Sequence, residues 1–440
     1  MENFVKEVHN VNDWALVEVK PGMMGAAKQM LTLKQEAQGN KEGITLYQYR
    51  VHSNQNLLYI PRALVGHLEY CLTGGWPKVG MASRLDSPRE GQAETIDKFI
   101  DGLNTHKYGG ILQAVTGAGK TVMALDIAFR LDMATLIVVP RTSLMKQWKE
   151  QVLKWTNVKE SEIGIVQGPK MQWQGKKIVI AMIHTLAAQN EKYPIPFLIN
   201  FGTVIFDECH VVGAETFSQV APLFNSRYRI GLSATPRRSD GMDPVFYWHL
   251  GPILARFTKL QAKARIRMVP YRGLDTNHMG CVWGGNLSLG RYFNRIARSR
   301  PRFDLVKLYI TQLHAKGHDI LMLAERLEYL AQMQRALQLD GIPADDIGLL
   351  TGKIKQTGKK VILGTYGSAG MGVDIPRLSA LVLASPRADV EQAIGRVLRQ
   401  GSPIVVDIVD SSSSIMMGWS LARKKFYRRI TEDIVDKVPR

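Results

Sequence analysis

The chain has 440 residues, 45% of them hydrophobic, and its 57 Lys and Arg outnumber 39 Asp and Glu to give a formal net charge of +18. That length exceeds one ordinary core and calls for two or three domains, while the charge favours a polyanionic partner whose phosphates such a field steers to the protein. Three scattered cysteines without a CxxC pair exclude a disulfide framework or zinc site, and the lack of an apolar signal core or of a run near the roughly 18 apolar residues that span a bilayer gives a soluble cytoplasmic protein, away from membranes, as the expectation.

Residues 1–86 mix alternating apolar segments, such as 44–51 and 56–60, with turn signals at Pro21-Gly22, Gly39-Asn40 and Gly74-Gly75, which predicts a small α+β accessory module. From 87 to 247 the pattern changes to helices alternating with short apolar runs at 110–115, 134–139, 177–181, 203–206 and 228–232, the signature of a parallel sheet with helices on both faces. Residues 248–301 read as a basic linker. From Arg256 to Lys307 a dozen Lys and Arg face only Asp275 and Asp304, and Tyr271, Trp283, Tyr292 and Phe293 are interleaved, so that cations would track phosphates while aromatics stack on bases. A solvated basic linker is the plainer alternative. A second α/β block fills 302–440, with strands at 319–323, 360–364, 380–384 and 403–407. A serine break at 411–414 then precedes a C-terminal helix whose 423–429 stretch is either a basic contact or a solvated face.

Chemistry concentrates in three places. The stretch Ala114-Val-Thr116-Gly117-Ala118-Gly119-Lys120-Thr121 sits between a strand pattern and a helix pattern, with Ala114 where the general phosphate loop has Gly. Its backbone N–H groups can cradle phosphates, Lys120 can reach the β and γ groups, and the Thr121 hydroxyl can ligate Mg²⁺. Asp207-Glu208-Cys209-His210 follows a buried-strand run, which places both acids at a strand's carboxyl end. There Asp207 would hold the metal and Glu208 would polarise the attacking water. Finally, Arg396 and Arg399 project from one helix face with Gln392 a turn earlier, and arginines of this kind from a neighbouring domain can speed phosphoryl transfer by about 10³- to 10⁵-fold.

Taken in order from about Pro88 to Gln400, these segments resemble the superfamily 2 helicases and translocases of the DExH type. Arg89 and Gln92 are similar to the adenine-reading Q-motif, 114–121 to motif I, 140–148 to motif Ia, 182–185 to motif Ib, 207–210 to motif II and Ser233-Ala-Thr235 to motif III. In the second block, 321–326 resembles motif IV, 364–374 motif V and 392–399 motif VI. The resemblance implies two tandem RecA-like parallel-sheet domains of the P-loop NTPase class behind the α+β accessory domain, with ATP and Mg²⁺ as cofactors. It also implies roles: Gln92 reading adenine, Asp374 near the ribose, Ser233 and Thr235 coupling hydrolysis to strand movement, and Arg141, Thr185 and Thr365 gripping the sugar-phosphate backbone. Such grips carry no base readout. The short accessory module and the Ile394-Gly-Arg396-Val-Leu-Arg399 stretch look most like UvsW-type phage branch-migration helicases. The implied partner is branched DNA ahead of RNA, acted on by a monomer or, as the alternative, by the motor subunit of a larger DNA-processing complex. Two departures stand out: only 351–358 separates strands where the family carries a helix between motifs IV and V, and Cys209 replaces the commoner small residue of motif II.

Overall fold

The computed structural model describes residues 3–11, 14–35, 44–54, 56–65, 75–84, 88–106, 108–115, 117–188, 193–210, 214–236, 241–258, 264–283, 286–369, 375, 377–395, 401–431 and 433–435. The chain divides into two compact units, Met1–Lys259 and Leu260–Arg440.

In the first unit, five continuous apolar runs become the strands Gly109–Ala114, Thr135–Val139, Ile178–Met182, Thr203–Phe206 and Tyr228–Ser233, each within a residue or two of its sequence pattern. Runs of this kind suit strands covered on both faces. Ile163–Gln167 and the two-residue Lys170–Met171 extend one edge, Ile253–Phe257 forms the other, and only the Lys170–Met171 pairing is antiparallel. One face is packed by Phe99, Met123, Ile127 and Trp148 from the helices Gln92–His106, Lys120–Leu131 and Thr142–Trp155; the other is packed by Phe197, Phe217 and Phe246. Gly109 permits the close approach of neighbouring strands, because a Cβ there would lie 1.9 Å from the Arg229 carbonyl oxygen and its φ is +152°.

The accessory segment forms an antiparallel sheet of Val5–Val11, Trp14–Val19, Leu57–Pro61 and Arg50–Val51. It is built onto the first unit by polar bonds as well as packing. The fully buried Arg62 guanidinium donates to the backbone oxygens of Ser226 at 2.5 Å and Tyr108 at 3.2 Å. The buried His249 ring pairs with Gln48 Oε1 at 2.8 Å and meets the Trp14 ring edge-on.

The second unit is a seven-stranded parallel sheet in the order Ile347–Leu350, Val361–Thr365, Ile320–Ala324, Ala380–Leu383, Ile404–Asp410, Arg265–Tyr271 and Ile434–Val435. Its core holds two bidentate ion pairs: Arg302 with Asp410 at 2.6 and 3.0 Å, and Arg423 with Asp407 at 2.8 and 3.0 Å. Tyr427 also donates to Asp407. The serine break works as expected, with the Ser413 side chain capping the helix Ser414–Ile430 through the Met416 N–H.

Three expectations are corrected. The segment 248–301 is not a linker: Ile253–Phe257 and Arg265–Tyr271 are strands of the two large sheets, and Leu289–Arg298 is a helix. The reason is period-two burial, since Ala255, Phe257, Ile266 and Met268 point inward while the charges alternate outward. Of the aromatics there, Tyr292 is not available for stacking. Tyr292 is fully buried and donates to the Thr276 carbonyl, Tyr271 donates to Asp275, and the Trp283 side chain lies outside the described residues. In the C-terminal helix, Arg423 and Tyr427 are core residues, so that stretch is a solvated face only on its other side.

Candidate nucleotide site

The strand Gly109–Ala114 runs into a turn that opens the helix Lys120–Leu131. Gly117 and Gly119 take φ of +83° and +84°, conformations that favour glycine and bend the backbone around the position a phosphate would fill. Ala114 is completely buried in the core, so a methyl in place of the usual glycine hydrogen is accommodated there. Thr121 follows in the first helical turn, half-buried, and Thr116 lies outside the described residues.

Gln92 braces this loop. Its side-chain oxygen accepts from the Arg89 backbone N–H at 2.9 Å, and its Nε2 donates to the Ala118 carbonyl at 2.8 Å. A Cβ at Gly119 would sit 2.7 Å from that same Nε2, so the glycine is needed for the brace as well as for the turn.

The acids arrive at the carboxyl end of Thr203–Phe206. Asp207 is buried; its Oδ2 accepts from Trp148 Nε1 at 2.8 Å and its Oδ1 from the Glu208 backbone N–H at 2.9 Å. Burial first, and the adjacent Glu208 charge second, push the Asp207 carboxyl up to about 6, against the opposing pull of Lys120 and the Trp148 bond. Glu208 moves the other way: burial raises it, but Lys120, His210 and Arg141 together hold it below its ordinary value. Its backbone φ of +47° is rare for a non-glycine residue, a strained position of the sort that gathers at functional sites.

Glu208 Oε1 takes the Lys120 ammonium at 3.2 Å, and Oε2 lies 3.5 Å from His210 Nδ1. The same His210 nitrogen is 2.8 Å from Ser233 Oγ. A polar chain therefore runs from the phosphate-loop lysine through the acid to Ser233-Ala-Thr235, where Thr235 is half-buried. His210 as the middle link, Trp148 as the Asp207 donor, and Gln113 are absent from the sequence reading. Gln113 donates to the Ala234 carbonyl at 3.3 Å and accepts from Arg256 at 3.0 Å. Trp148 and His210 end the segments similar to motifs Ia and II, but neither segment says which atoms they touch, and Gln113 carries no signal of its own.

Of the backbone-gripping candidates, Arg141 is exposed at the N-cap of Thr142–Trp155, and Thr185 accepts from the Gly168 N–H at 3.1 Å. In the second unit, Thr365 donates to Ser368 Oγ at 2.8 Å at the end of its strand. Gln392 lies on the helix Glu391–Ile394 with its side chain outside the described residues, and Asp374, Arg396 and Arg399 fall outside them altogether. Among the described residues, Cys209 and Cys281 are free buried thiols, and no helix is long and apolar enough to cross a membrane.

A glycine-bent loop opening a helix, a lysine paired to the second of two strand-end acids, and an enclosing parallel sheet define a P-loop nucleoside triphosphatase. The family described as Type III restriction enzyme, res subunit matches residues 86–238. Protein L396 of Acanthamoeba polyphaga mimivirus, named for an expected ATP-dependent RNA helicase activity, is 30% identical over 365 residues, 78% of this chain and 67% of that protein. Among solved structures, the Pyrococcus furiosus Hef helicase domain covers 75% of this chain and 98% of its own at 14% identity and a TM-score of 0.51. T4 UvsW covers 98% of this chain and 99% of its own at 17% identity and a TM-score of 0.41. The chain belongs to the superfamily 2 helicases, with their RecA-like fold, and is an ATP-dependent enzyme.

Proposed function

We propose that this helicase is a DNA-stimulated ATPase that translocates on branched DNA, migrating four-way junctions and opening forks during recombination, repair or replication. The observation that carries the reading is the Lys120–Glu208–His210–Ser233 chain, which ties the phosphate-contacting end of the site to the motif expected to report on nucleic acid. Lys120 pairs with Glu208, and a γ-phosphate would compete for that ammonium and leave the carboxylate to orient water. Glu208 is held in its charged form and its Oε2 has no hydrogen-bond partner among the described residues, so it is ready to accept one from that water.

The donor set fits a divalent cation of the hard, oxygen-preferring kind: the Thr121 hydroxyl and the Asp207 carboxylate would hold Mg²⁺. When bound, it would neutralise charge on the β- and γ-phosphate oxygens. Gln92 would present adenine with the remaining hydrogen-bonding capacity of its braced amide, and Asp374 would lie near the ribose. Arg396 and Arg399, with Gln392, would add positive charge to the γ-phosphoryl in the transition state. Arg141, Thr185 and Thr365 would contact the sugar-phosphate backbone without reading bases.

DNA is favoured because the matched family is that of a restriction enzyme, whose substrate is DNA, and because the +18 charge suits a long polyanion. The name given to L396 favours RNA as the second reading. ATP hydrolysis and strand displacement measured on single-stranded, duplex, forked and four-way DNA, with matching RNA, decide between them. The DNA reading expects the largest stimulation on forks and junctions; hydrolysis unaffected by any DNA would end it.

A further inference from the structure

We infer that Gln113 is a positioning residue that ties the Ser233-Ala-Thr235 segment to the phosphate loop and to the strand Ile253–Phe257; the inference deepens the reading of that segment as the reporter on nucleic acid and rests on it. Gln113 is the one polar side chain of the strand Gly109–Ala114, half-buried and directly before Ala114, where the loop begins. In register it lies between Ser233 on one neighbouring strand and Arg256 on the other. Leu112, Ala114, Leu232, Ala255 and Phe257 all belong to the core beneath the phosphate-loop helix, so their alternates Ser233, Gln113 and Arg256 form a row on the opposite face.

The row is bonded as well as aligned. Gln113 Nε2 donates to the Ala234 carbonyl at 3.3 Å, and its Oε1 accepts from Arg256 Nε at 3.0 Å. An amide carries a donor on one side and an acceptor on the other, so a guanidinium, which can only donate, fixes which way round the amide sits. Arg256 thereby aims Nε2 at Ala234. From the acid side, Ser233 Oγ meets His210 Nδ1 at 2.8 Å and the Cys209 N–H donates to the Leu232 carbonyl at 3.2 Å, so the segment is held from two directions. The Val115 N–H at the start of the loop donates to the Phe257 carbonyl at 3.2 Å, which binds the loop to the same edge strand as Arg256.

Packing alone does not call for an amide at this position. Ile111, two residues earlier on the same face, is apolar and fully buried. The amide instead makes the Ala234 carbonyl follow a shift of the loop, because Gln113 is nearly contiguous with the loop in the chain and coupling passes through contiguous bonded groups. Lys120 and Glu208 reach Ser233 by way of His210, whereas Gln113 reaches Ala234 without passing through the acids. The two routes converge on adjacent residues of one segment.

ATP hydrolysis by the full chain, measured without nucleic acid and with a single-stranded oligodeoxynucleotide or a matching oligoribonucleotide, tests the role through the ratio of stimulated to basal kcat. Gln113→Leu should lower that ratio about five-fold, the factor that one net hydrogen bond supports. Gln113→Glu keeps the size and the Arg256 bond and loses only the donor to Ala234, so it should lower the ratio as far. Arg256→Met, which frees the amide to turn, should give part of the fall and add nothing to Gln113→Leu. A purely structural amide predicts basal and stimulated kcat falling together, and an unchanged ratio in either Gln113 variant overturns the inference. If Ser233→Ala lowers the ratio and the Gln113 variants do not, the reading of the segment stands and the inference alone fails; an unchanged ratio in Ser233→Ala ends both. Stimulation by RNA alone ends the DNA reading and leaves the inference to be decided on the RNA ratio, and stimulation by neither polymer ends both.

Discussion

Replacing Trp148 with Phe isolates one hydrogen bond at the heart of the site. The indole is 1% exposed, within the core that packs the nucleotide-binding helix, so a phenyl ring keeps most of the burial and removes only the Nε1–H that Asp207 accepts at 2.8 Å. A hydrogen bond to a charged partner is worth about 1.5–3 kcal/mol, and if it acts on the ionised carboxylate alone its loss raises the pKa by about 1–2 units. Asp207 already stands near 6 because of burial, so the variant should titrate around 7 to 8. At pH 7 the ionised fraction of Asp207 would fall from about nine-tenths to between one-half and one-tenth. The acid limb of kcat/KM for ATP, which reports on the free enzyme, should move up by the same 1–2 units while the alkaline plateau changes by no more than a few-fold. Stability should follow with a definite sign. A carboxyl raised above its unfolded value loses stabilisation as pH climbs from about 4 through its folded pKa, so the variant should lose further stability between about pH 6 and 8 and differ from the original below pH 4 only by the packing the smaller ring gives up. A depressed plateau with an unmoved acid limb would show that Trp148 serves packing alone and would refute the reasoning.

Glu208→Gln should keep ATP binding, read with a fluorescent nucleotide, and lower turnover by about 10²- to 10⁴-fold, the usual range for a lost general base; unaltered turnover would mean that another group orients the water. Gln92→Ala removes two bonds on the phosphate loop, each worth about 1 kcal/mol, and should weaken nucleotide binding by about thirty-fold in calorimetry. Gly119→Ala should act in the same direction, since it combines a φ of +84° with a Cβ against Gln92. In the second unit, Asp410→Asn leaves the buried Arg302 guanidinium uncompensated and should cost about 3–5 kcal/mol in denaturant unfolding. Replacing both partners with Leu and Met should recover much of that loss.

The sheet strands were legible because parallel strands covered on both faces must be apolar throughout, as 203–206 and 228–232 are. Arg265–Tyr271 was hidden by the same physics: its partly exposed positions carry Arg265 and Arg267, so the charges dominate and the inward Ile266 and Met268 read as incidental. The phosphate loop and the paired acids could be read because they are contiguous and stereotyped. Trp148 and Asp207 are 59 residues apart, and Arg302 and Asp410 are 108 apart, so their pairing is created only by the fold. Arg423 shows the opposite error, in which a basic stretch conceals a core guanidinium behind its exposed neighbours.

The attachment made by Arg62 and His249 bears on how this enzyme can be dissected. Cutting the chain near residue 86 would not liberate a smaller engine; it would strip the carbonyls of Ser226 and Tyr108 of a cationic donor and bare an imidazole that burial keeps neutral. Such a fragment would be poorly soluble for reasons unrelated to nucleic acid. The amino-terminal sheet is thus better regarded as foundation masonry than as a removable tool, and its contribution to handling DNA is best probed by recharging its outward side chains one at a time.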